Sequence, residues 1–269
     1  MNNFLLIDLA LLGTDCSVPS LADETRPSWV YPLYDEGAYK VTPLLIELQE
    51  VITSGDVSQA MQLWNSREPQ LHASIIHSNL SLAQLGAHLQ QFTYILTKDG
   101  GTLTFRFGDC AVLSCLPEHL TAEQWRTMTM PIYRWVIHGR DGKLRNLVLA
   151  KKTAEPSKVP LILEEKQLAS LRDALTADRL IYHLRRIRPT QVEHYHGTEL
   201  HALVTEAYSM WRISEHTDQL LLLDFLIGVI DTAGRILRMT GMAQILAVSS
   251  VETVRGELKK AVTRNSFQE

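Results

Sequence analysis

The chain has 269 residues, with 26 lysines and arginines against 30 aspartates and glutamates, and a net charge of −4. This balance gives no indication of a nucleic acid or an anionic membrane surface as the partner. The hydrophobic content of 45% is typical of a soluble globular protein with a sizeable core, in one large or two small domains.

Cysteines and apolar runs bear on where the protein works. Three cysteines are too few for a disulfide framework and suit a reducing compartment. The apolar run at residues 1–12 lacks a basic start and is interrupted by Asp8, and the run at 220–230 is too short to span a bilayer. We therefore expect a cytoplasmic protein without membrane insertion.

Strand and helix signals alternate through the first 150 residues. Two segments have capping-box form, Ser81 to Gln84 and Thr121 to Gln124, and each predicts a helix start. Asp141-Gly142 predicts a hairpin turn. The predicted strands cover residues 4–9, 29–34 (at a sheet edge), 73–78, 102–107, 132–138 and 144–149, residues 42–48 are extended or a first helical turn, and the predicted helices cover 57–64, 82–95 and 111–116 and begin at 121.

The stretch from Asp99 to Asp109 has the most regular sequence pattern of the first 150 residues. An Asp-Gly-Gly turn is followed by alternation, in which Leu103, Phe105 and Phe107 share one face. The pattern predicts a half-buried strand that stops at Gly108-Asp109. Arg106 and Asp109 stand close enough in sequence to form a local ion pair at the strand end.

The composition changes near residue 150. Residues 151–160 are polar with two prolines and predict a linker. Beyond it the periodicity is helical and strand signals are missing, with predicted helices at 163–188, 200–211, 218–230, 232–247 and 250–263, the last with a Ser249-x-x-Glu252 cap. The sequence predicts an α+β protein: an α/β lobe with a mixed sheet at residues 1–152 and an all-helical lobe at 160–269.

Few residues suggest catalysis or metal binding. Cys110 and Cys115 with His119 suggest a thiol nucleophile and base, but the spacing matches no known motif and buried structural cysteines are common. His194 and His196 lie in a polar loop without acidic or cysteine partners at ligand spacing. We expect no metal and no cofactor. Arg185, Arg186 and Arg188 form a basic cluster that is either a solvated helix end or a docking patch for an acidic partner.

Several segments, taken in order, resemble the type VI secretion effector chaperones, also called effector-loading adaptors of the Tap/Tec kind. The clearest is the Phe-Arg-Phe-x-Asp motif, although Cys110 follows it where the family usually has proline. The region from Ile213 to Asp218 resembles the family's second lobe more loosely. The matching first-lobe segments are Leu6-Ile7-Asp8, Leu33-Tyr34-Asp35-Glu36-Gly37, Thr42-Pro43-Leu44-Leu45, Ser81-Leu82-Ala83-Gln84-Leu85-Gly86-Ala87-His88-Leu89, Phe105-Arg106-Phe107-Gly108-Asp109 and Tyr133-Arg134-Trp135.

The resemblance implies an adaptor that is not an enzyme. Such proteins bind a toxin effector in the cytoplasm and hand it to a VgrG-type spike, with a first lobe that is common to the family and a second lobe that varies with the cargo. The first lobe would then be marked by Phe105, Arg106, Asp109 and Trp135, with Arg106 and Asp109 holding the strand end and bordering a partner surface. The alternatives are a thiol hydrolase using Cys110 and His119, or a regulatory protein-binding module unrelated to secretion.

Overall fold

The structure is a computed structural model, and it describes residues 1–12, 26–34, 41–66, 69–150, 158–214, 216–248 and 250–265. The chain divides into two compact units, Met1–Ala174 and Leu175–Glu269. The first unit combines sheets with helices and the second is helical, so the predicted α+β class is confirmed.

The first unit is built on a six-stranded antiparallel sheet with the strand order β2-β3-β1-β4-β7-β8. Its central strand β1 is apolar along most of its length and pairs on both sides, Ile7 lying between Leu44 and Ala73. The strands are β1 (Asn2–Asp8), β2 (Val30–Pro32), β3 (Pro43–Glu47), β4 (Ala73–Ser78), β7 (Ile132–His138) and β8 (Leu144–Asn146).

Both faces of this sheet carry buried side chains, because alternate residues along a strand point to opposite faces. One face contributes Leu5, Ile7 and Ile46 to a core that also holds residues of α2 (Leu48–Ser54) and α3 (Val57–Trp64). The other face contains Tyr31, whose ring lies against Gly86 of α4 (Leu82–Gln90). The remaining helices of this part are α1 (Leu9–Leu12), α5 (Cys110–His119) and α6 (Ala122–Thr129).

A second, smaller sheet contains the mixed pairing. Strand β5 (Tyr94–Thr97) pairs antiparallel with β6 (Thr102–Thr104) and parallel with β9 (Ile162–Leu163). Helix α7 (Glu165–Ala174) follows β9 and contacts α5. Residues 160–174, which the sequence assigned to the helical lobe, therefore lie in the first unit, because β9 is held by β5 and α7 by α5.

The second unit packs helices around α11 (Gln219–Asp231). This helix is apolar on nearly all sides and contacts α10 (Gly197–Ile213) and α13 (Val251–Asn265). Asp218 caps its start, where Oδ1 accepts hydrogen bonds from the backbone N–H groups of Leu220 and Leu221 at 2.8 and 3.2 Å. The other elements are α8 (Thr176–Ile187), α9 (Pro189–Glu193), the 3₁₀ helix η1 (Arg235–Arg238) and α12 (Met242–Val248).

Several predicted boundaries were wrong for identifiable reasons. The helix expected over residues 82–95 ends at Gln90, where Thr93 Oγ1 donates to the Gln90 carbonyl and starts the turn into β5. The helix expected over 163–188 is interrupted at Leu175. The helix expected over 232–247 is divided by Gly234 and Gly241, both in the left-handed region.

Other predictions are confirmed. Both capping boxes form, at Ser81 and Thr121, with reciprocal bonds to Gln84 and Gln124. The hairpin turn at Asp141-Gly142 connects β7 and β8, and β2 is an edge strand. Most of the predicted linker at 151–160 lies outside the described residues, as does the predicted cap at Ser249; Ser250 instead accepts a hydrogen bond from the Thr253 N–H at 3.3 Å.

Candidate functional site

The residues of the Phe-Arg-Phe-x-Asp motif meet the end of β1. The strand expected over residues 102–107 ends at Thr104, and the chain then turns, with the Phe107 N–H bonded to the Phe105 carbonyl at 3.0 Å. Phe105 and Phe107 are both buried, with ring centroids 6.3 Å apart. The two phenylalanines therefore anchor the loop between β6 and α5 in the core.

Asp8 and Arg106 form the polar centre of this region. We call the place where these two residues meet the junction. The Arg106 Nη2 donates to Asp8 Oδ2 at 3.0 Å, and the Ala10 N–H donates to Asp8 Oδ1 at 3.0 Å. The Asp8 side chain is almost fully buried, while 40% of the Arg106 side chain is exposed. The junction thus joins a buried carboxylate to a guanidinium that reaches the surface.

Asp109 has a second role at the junction. Its Oδ1 accepts a hydrogen bond from the Ala111 N–H at 2.9 Å, which caps α5. Its negative charge also helps to raise the pKa of Arg106. The charge of Asp109 thus acts on Arg106, as the sequence predicts. Asp8 is a further, hydrogen-bonded partner of Arg106 that the sequence did not indicate.

The backbone comes very close to Asp8 at Gly108. A Cβ atom at position 108 would lie 3.1 Å from the Asp8 Cβ and 3.4 Å from the Pro43 Cβ. Any larger residue there would push the motif away from the strand ends. The glycine in Phe-Arg-Phe-Gly-Asp thus has a packing reason.

Burial and charge act against each other at the junction. Burial raises the pKa of Asp8, while the Arg106 charge and hydrogen bonds from Arg106, Ala10 and Leu11 oppose the rise. For Arg106, burial lowers the pKa, but the charges of Asp8 and Asp109 outweigh that effect and the pKa is raised. The guanidinium therefore stays charged beside a carboxylate that is costly to ionise.

Tyr34 lies beside this pair. Burial, together with the charge of Asp8, raises its pKa to about 12. Its ring stacks on Tyr94 with centroids 6.1 Å apart. The phenol thus remains neutral and serves as packing around the junction.

Cys110 does not have the surroundings of a nucleophile. Its side chain is buried, its Sγ donates to the Ala73 carbonyl at 3.2 Å, and burial raises the pKa of the thiol to about 12. A reactive cysteine needs a stabilised thiolate and access for the substrate. The thiol of Cys110 has neither.

His119 does not approach Cys110. The two residues occupy opposite ends of α5, and nine residues of helix extend roughly 14 Å at 1.5 Å per residue. The His119 Nδ1 instead pairs with Ser170 Oγ at 3.0 Å, and its carbonyl accepts from Gln167 Nε2 at 2.9 Å. The alternative of a thiol hydrolase built from these two residues therefore has no geometric support.

Trp135 is also a core residue. It lies on β7, is fully buried, and its Nε1 donates to Ser74 Oγ on the neighbouring strand at 3.0 Å. In this position the indole stabilises the sheet and offers no surface to a partner.

The three arginines of the basic cluster differ in exposure. Arg186 and Arg188 are exposed near the end of α8, and Arg185 is half-buried. The Arg186 guanidinium carbon lies 5.9 Å from the centroid of the Tyr182 ring, within the range of a cation–π contact. The exposed Tyr182 was not singled out from the sequence, although its helical spacing from Arg186 is the signal that could have found it.

The described part of the chain contains no group of three or more histidine, cysteine, aspartate or glutamate side chains arranged to hold a metal ion. His194 is the C-cap of α9, and His196 is the N-cap of α10. Two indentations among the described residues are open to solvent. One of about 620 Å³ is lined by His119, Gln124 and Gln167. The two glutamine side chains bond to each other and to backbone carbonyls, and the His119 ring pairs with Ser170.

The junction lies in the part of the chain that matches a known protein family. The first unit is an α+β domain in which a buried carboxylate and an arginine join β1 to the start of α5. Residues 4–127 match the model of a family described as Domain of unknown function (DUF4123), a stretch that is less than half of the 269-residue chain. Neither the curated proteins nor the solved structures gave a match.

Proposed function

We propose that this protein is a type VI secretion effector adaptor. In this role it binds a toxin effector in the cytoplasm, loads it onto a VgrG-type spike, and catalyses no reaction itself. The observation that carries the proposal is the match of residues 4–127 to the DUF4123 family. Domains of this family are known in type VI secretion effector adaptors.

The place of the shared motif supports the proposal. Arg106 and Asp109 fall within the matched residues. Arg106 bonds to Asp8 at the end of β1, and Asp109 caps α5. Phe105 and Phe107 are buried beside them. The motif thus maintains the shape of a domain, which is what a fold shared by adaptors with different cargo requires.

The division into two compact units also suits an adaptor. A protein that holds a cargo and then delivers it needs two surfaces, one for the cargo and one for the spike. The first unit contains the matched family and the second lies beyond the match. We assign the shared function to the first unit and cargo selection to the second.

The chemistry of the described residues favours binding over catalysis. The candidate nucleophile Cys110 has a buried thiol with a pKa of about 12, and His119 is bonded to Ser170 at the far end of the same helix. Separately, no helix in the described ranges has the length and apolar character needed to cross a membrane.

Co-purification tests the proposal directly. The tagged protein is co-expressed with the products of its two flanking genes, and complexes are isolated by affinity and size-exclusion chromatography. We expect a complex with a toxin effector and, in its presence, with a spike protein. An effector from an unrelated gene cluster serves as the control. The absence of a complex with either flanking product would overturn the proposal.

A further inference from the structure

Helix α8 presents a continuous polar and aromatic surface to solvent. At 100° per residue, Arg179, Tyr182, His183, Arg186 and Ile187 lie within an arc of about 140°, and all five are exposed. We call these five residues the basic stripe. On the opposite side of the helix, Ala177, Ile181 and Leu184 belong to the core of the second unit, so the orientation of the stripe is fixed by packing.

The charge of this surface is of one sign. Between Asp178 and Glu193 the chain contains four arginines and no carboxylate. Asp178 itself is directed to α10, where its Oδ2 lies 3.7 Å from the His201 Nε2. The charge of the stripe is therefore not neutralised within its own segment, although the whole chain carries a net charge of −4.

An exposed aromatic side chain lies in the middle of these charges. Tyr182 is 54% exposed, with Arg186 over its ring at 5.9 Å and the His183 ring edge-on at 5.8 Å. Ile187 beside it is 45% exposed. Tyrosine and arginine are the residues that most often dominate binding energy at protein interfaces, and a ring that is already held by its neighbours loses little freedom on binding.

A solvated helix end explains only part of this arrangement. Positive charge in the last turn complements the helix dipole and accounts for Arg186. The same effect falls off within one turn, so it does not account for Arg179 near the helix start. It also gives no reason for the exposure of Tyr182 and Ile187.

We propose that the basic stripe of α8 is the docking surface for an acidic segment of the effector. The proposal rests on the proposed adaptor function and adds the chemistry of the cargo contact. Carboxylates of the segment pair with Arg179 and Arg186, while the Tyr182 ring supplies the apolar anchor between them. A complementary charge pattern of this kind accelerates encounter and selects the partner.

The test compares three variants of the full chain. R179E/R186E reverses the stripe, Y182A removes the anchor without a change of charge, and R238E/K259E makes the same charge change at two exposed positions on η1 and α13. Circular dichroism and thermal unfolding verify that each variant folds. Affinity for the flanking-gene effector is measured by calorimetry between about 50 and 300 mM NaCl, a range over which the screening length falls about 2.5-fold.

We expect R179E/R186E to weaken binding at least tenfold and to reduce the dependence on salt. Y182A should weaken binding severalfold with the wild-type salt dependence, and R238E/K259E should bind as the wild type does. Wild-type affinity in folded R179E/R186E would overturn the inference while leaving the adaptor function intact. If the wild type binds no effector at all, both proposals fail together.

A membrane is the other anionic surface that such a stripe could meet. Co-sedimentation with vesicles of phosphatidylglycerol is therefore measured for the wild type and R179E/R186E. Vesicle binding that is lost on charge reversal, with effector affinity unchanged, would assign the stripe to lipid and overturn the inference. Equal and weak sedimentation of both proteins, together with the loss of effector affinity, is the expected result.

Discussion

Arg106 donates a hydrogen bond to Asp8 at 3.0 Å across 98 residues of sequence. The contact ties the end of the central strand β1 to the loop that enters α5. Because the Asp8 side chain is almost fully buried, its negative charge depends on Arg106 and on backbone N–H groups for compensation. The pair therefore holds the loop before α5 against the end of β1.

Arg106→Ala should destabilise the protein by roughly 2 kcal/mol. The removal of one partner of a fully buried ion pair costs more, but the 40% exposure of the Arg106 side chain lets water compensate in part. Urea unfolding at pH 7 measures the change. Arg145→Ala is the matched control, since Arg145 pairs with Asp141 on the surface, and its unfolding midpoint should equal that of the wild type. Equal midpoints for both variants would contradict the role of the junction.

The loss in Arg106→Ala should also depend on pH. The pKa of Asp8 is already raised above 3.8 in the folded protein, so the folded state holds the Asp8 proton more tightly than the unfolded chain does. Stability linked to Asp8 is therefore greatest below about pH 3.8 and falls as the pH rises through the folded pKa. Removal of Arg106 raises that pKa further, because a charge that favours the carboxylate is lost.

The stability difference between wild type and Arg106→Ala should consequently be smallest in acid and grow toward pH 7. Unfolding free energies measured at intervals between about pH 4 and pH 8 give the comparison. Asp8→Asn replaces the ionisable group by an amide of similar shape. In a protein that carries this change, the effect of Arg106→Ala on stability should lack the added pH dependence. A difference that stays constant over the whole range would show that Asp8 is not the group involved.

The Cys110 thiol should resist alkylation in the folded protein. With a pKa of about 12 in place of the ordinary 9.0, its thiolate fraction at pH 8 falls about a thousandfold. Iodoacetamide labelling followed by peptide mass spectrometry resolves each cysteine. Cys115, which is half-buried, is the internal comparison and should react faster. Similar Cys110 labelling rates in native and urea-unfolded protein would contradict the burial described for this thiol.

Local structure was predictable where short-range rules determine it. The caps at Ser81 and Thr121 depend on side chains three residues away, and the turn at Gly142 depends on a positive φ. Strand β7 was predicted with its observed bounds, because its flanking segments carry turn or loop residues. Such features need no information from distant parts of the chain.

The junction depended on contacts that the sequence pattern does not contain. Asp109 was the obvious partner for Arg106 because it lies three residues away, whereas Asp8 reaches Arg106 only after β1 and α5 have packed. A single acidic residue at the end of an apolar strand is the signal that could have indicated a buried ion pair. Likewise, β9 has two residues and forms only because β5 offers an edge.

Two glycines inside helices allow the effect of packing on stability to be distinguished from the effect of helix propensity. Glycine in a helix interior costs about 0.5–1 kcal/mol relative to alanine, so substitution by alanine is favourable wherever the space allows it. At Gly256 of α13 an added Cβ would meet nothing within 4 Å. At Gly86 of α4 it would lie 2.5 Å from the nearest carbon of the Tyr31 ring. The same substitution should therefore have opposite effects at the two sites.

Gly256→Ala should raise the free energy of unfolding by up to about 1 kcal/mol, and Gly86→Ala should lower it by about 1–3 kcal/mol, because overpacking displaces the Tyr31 ring. The Tyr31 hydroxyl donates to Gln90 Oε1 at 3.1 Å on the same helix, which limits how far the ring can move. Thermal and urea unfolding of both variants give the two signs. The double variant Gly86→Ala/Tyr31→Ala should recover stability relative to the sum of its single changes, since the clash is removed. An additive double variant would place the cost of Gly86→Ala elsewhere than in the contact between α4 and β2.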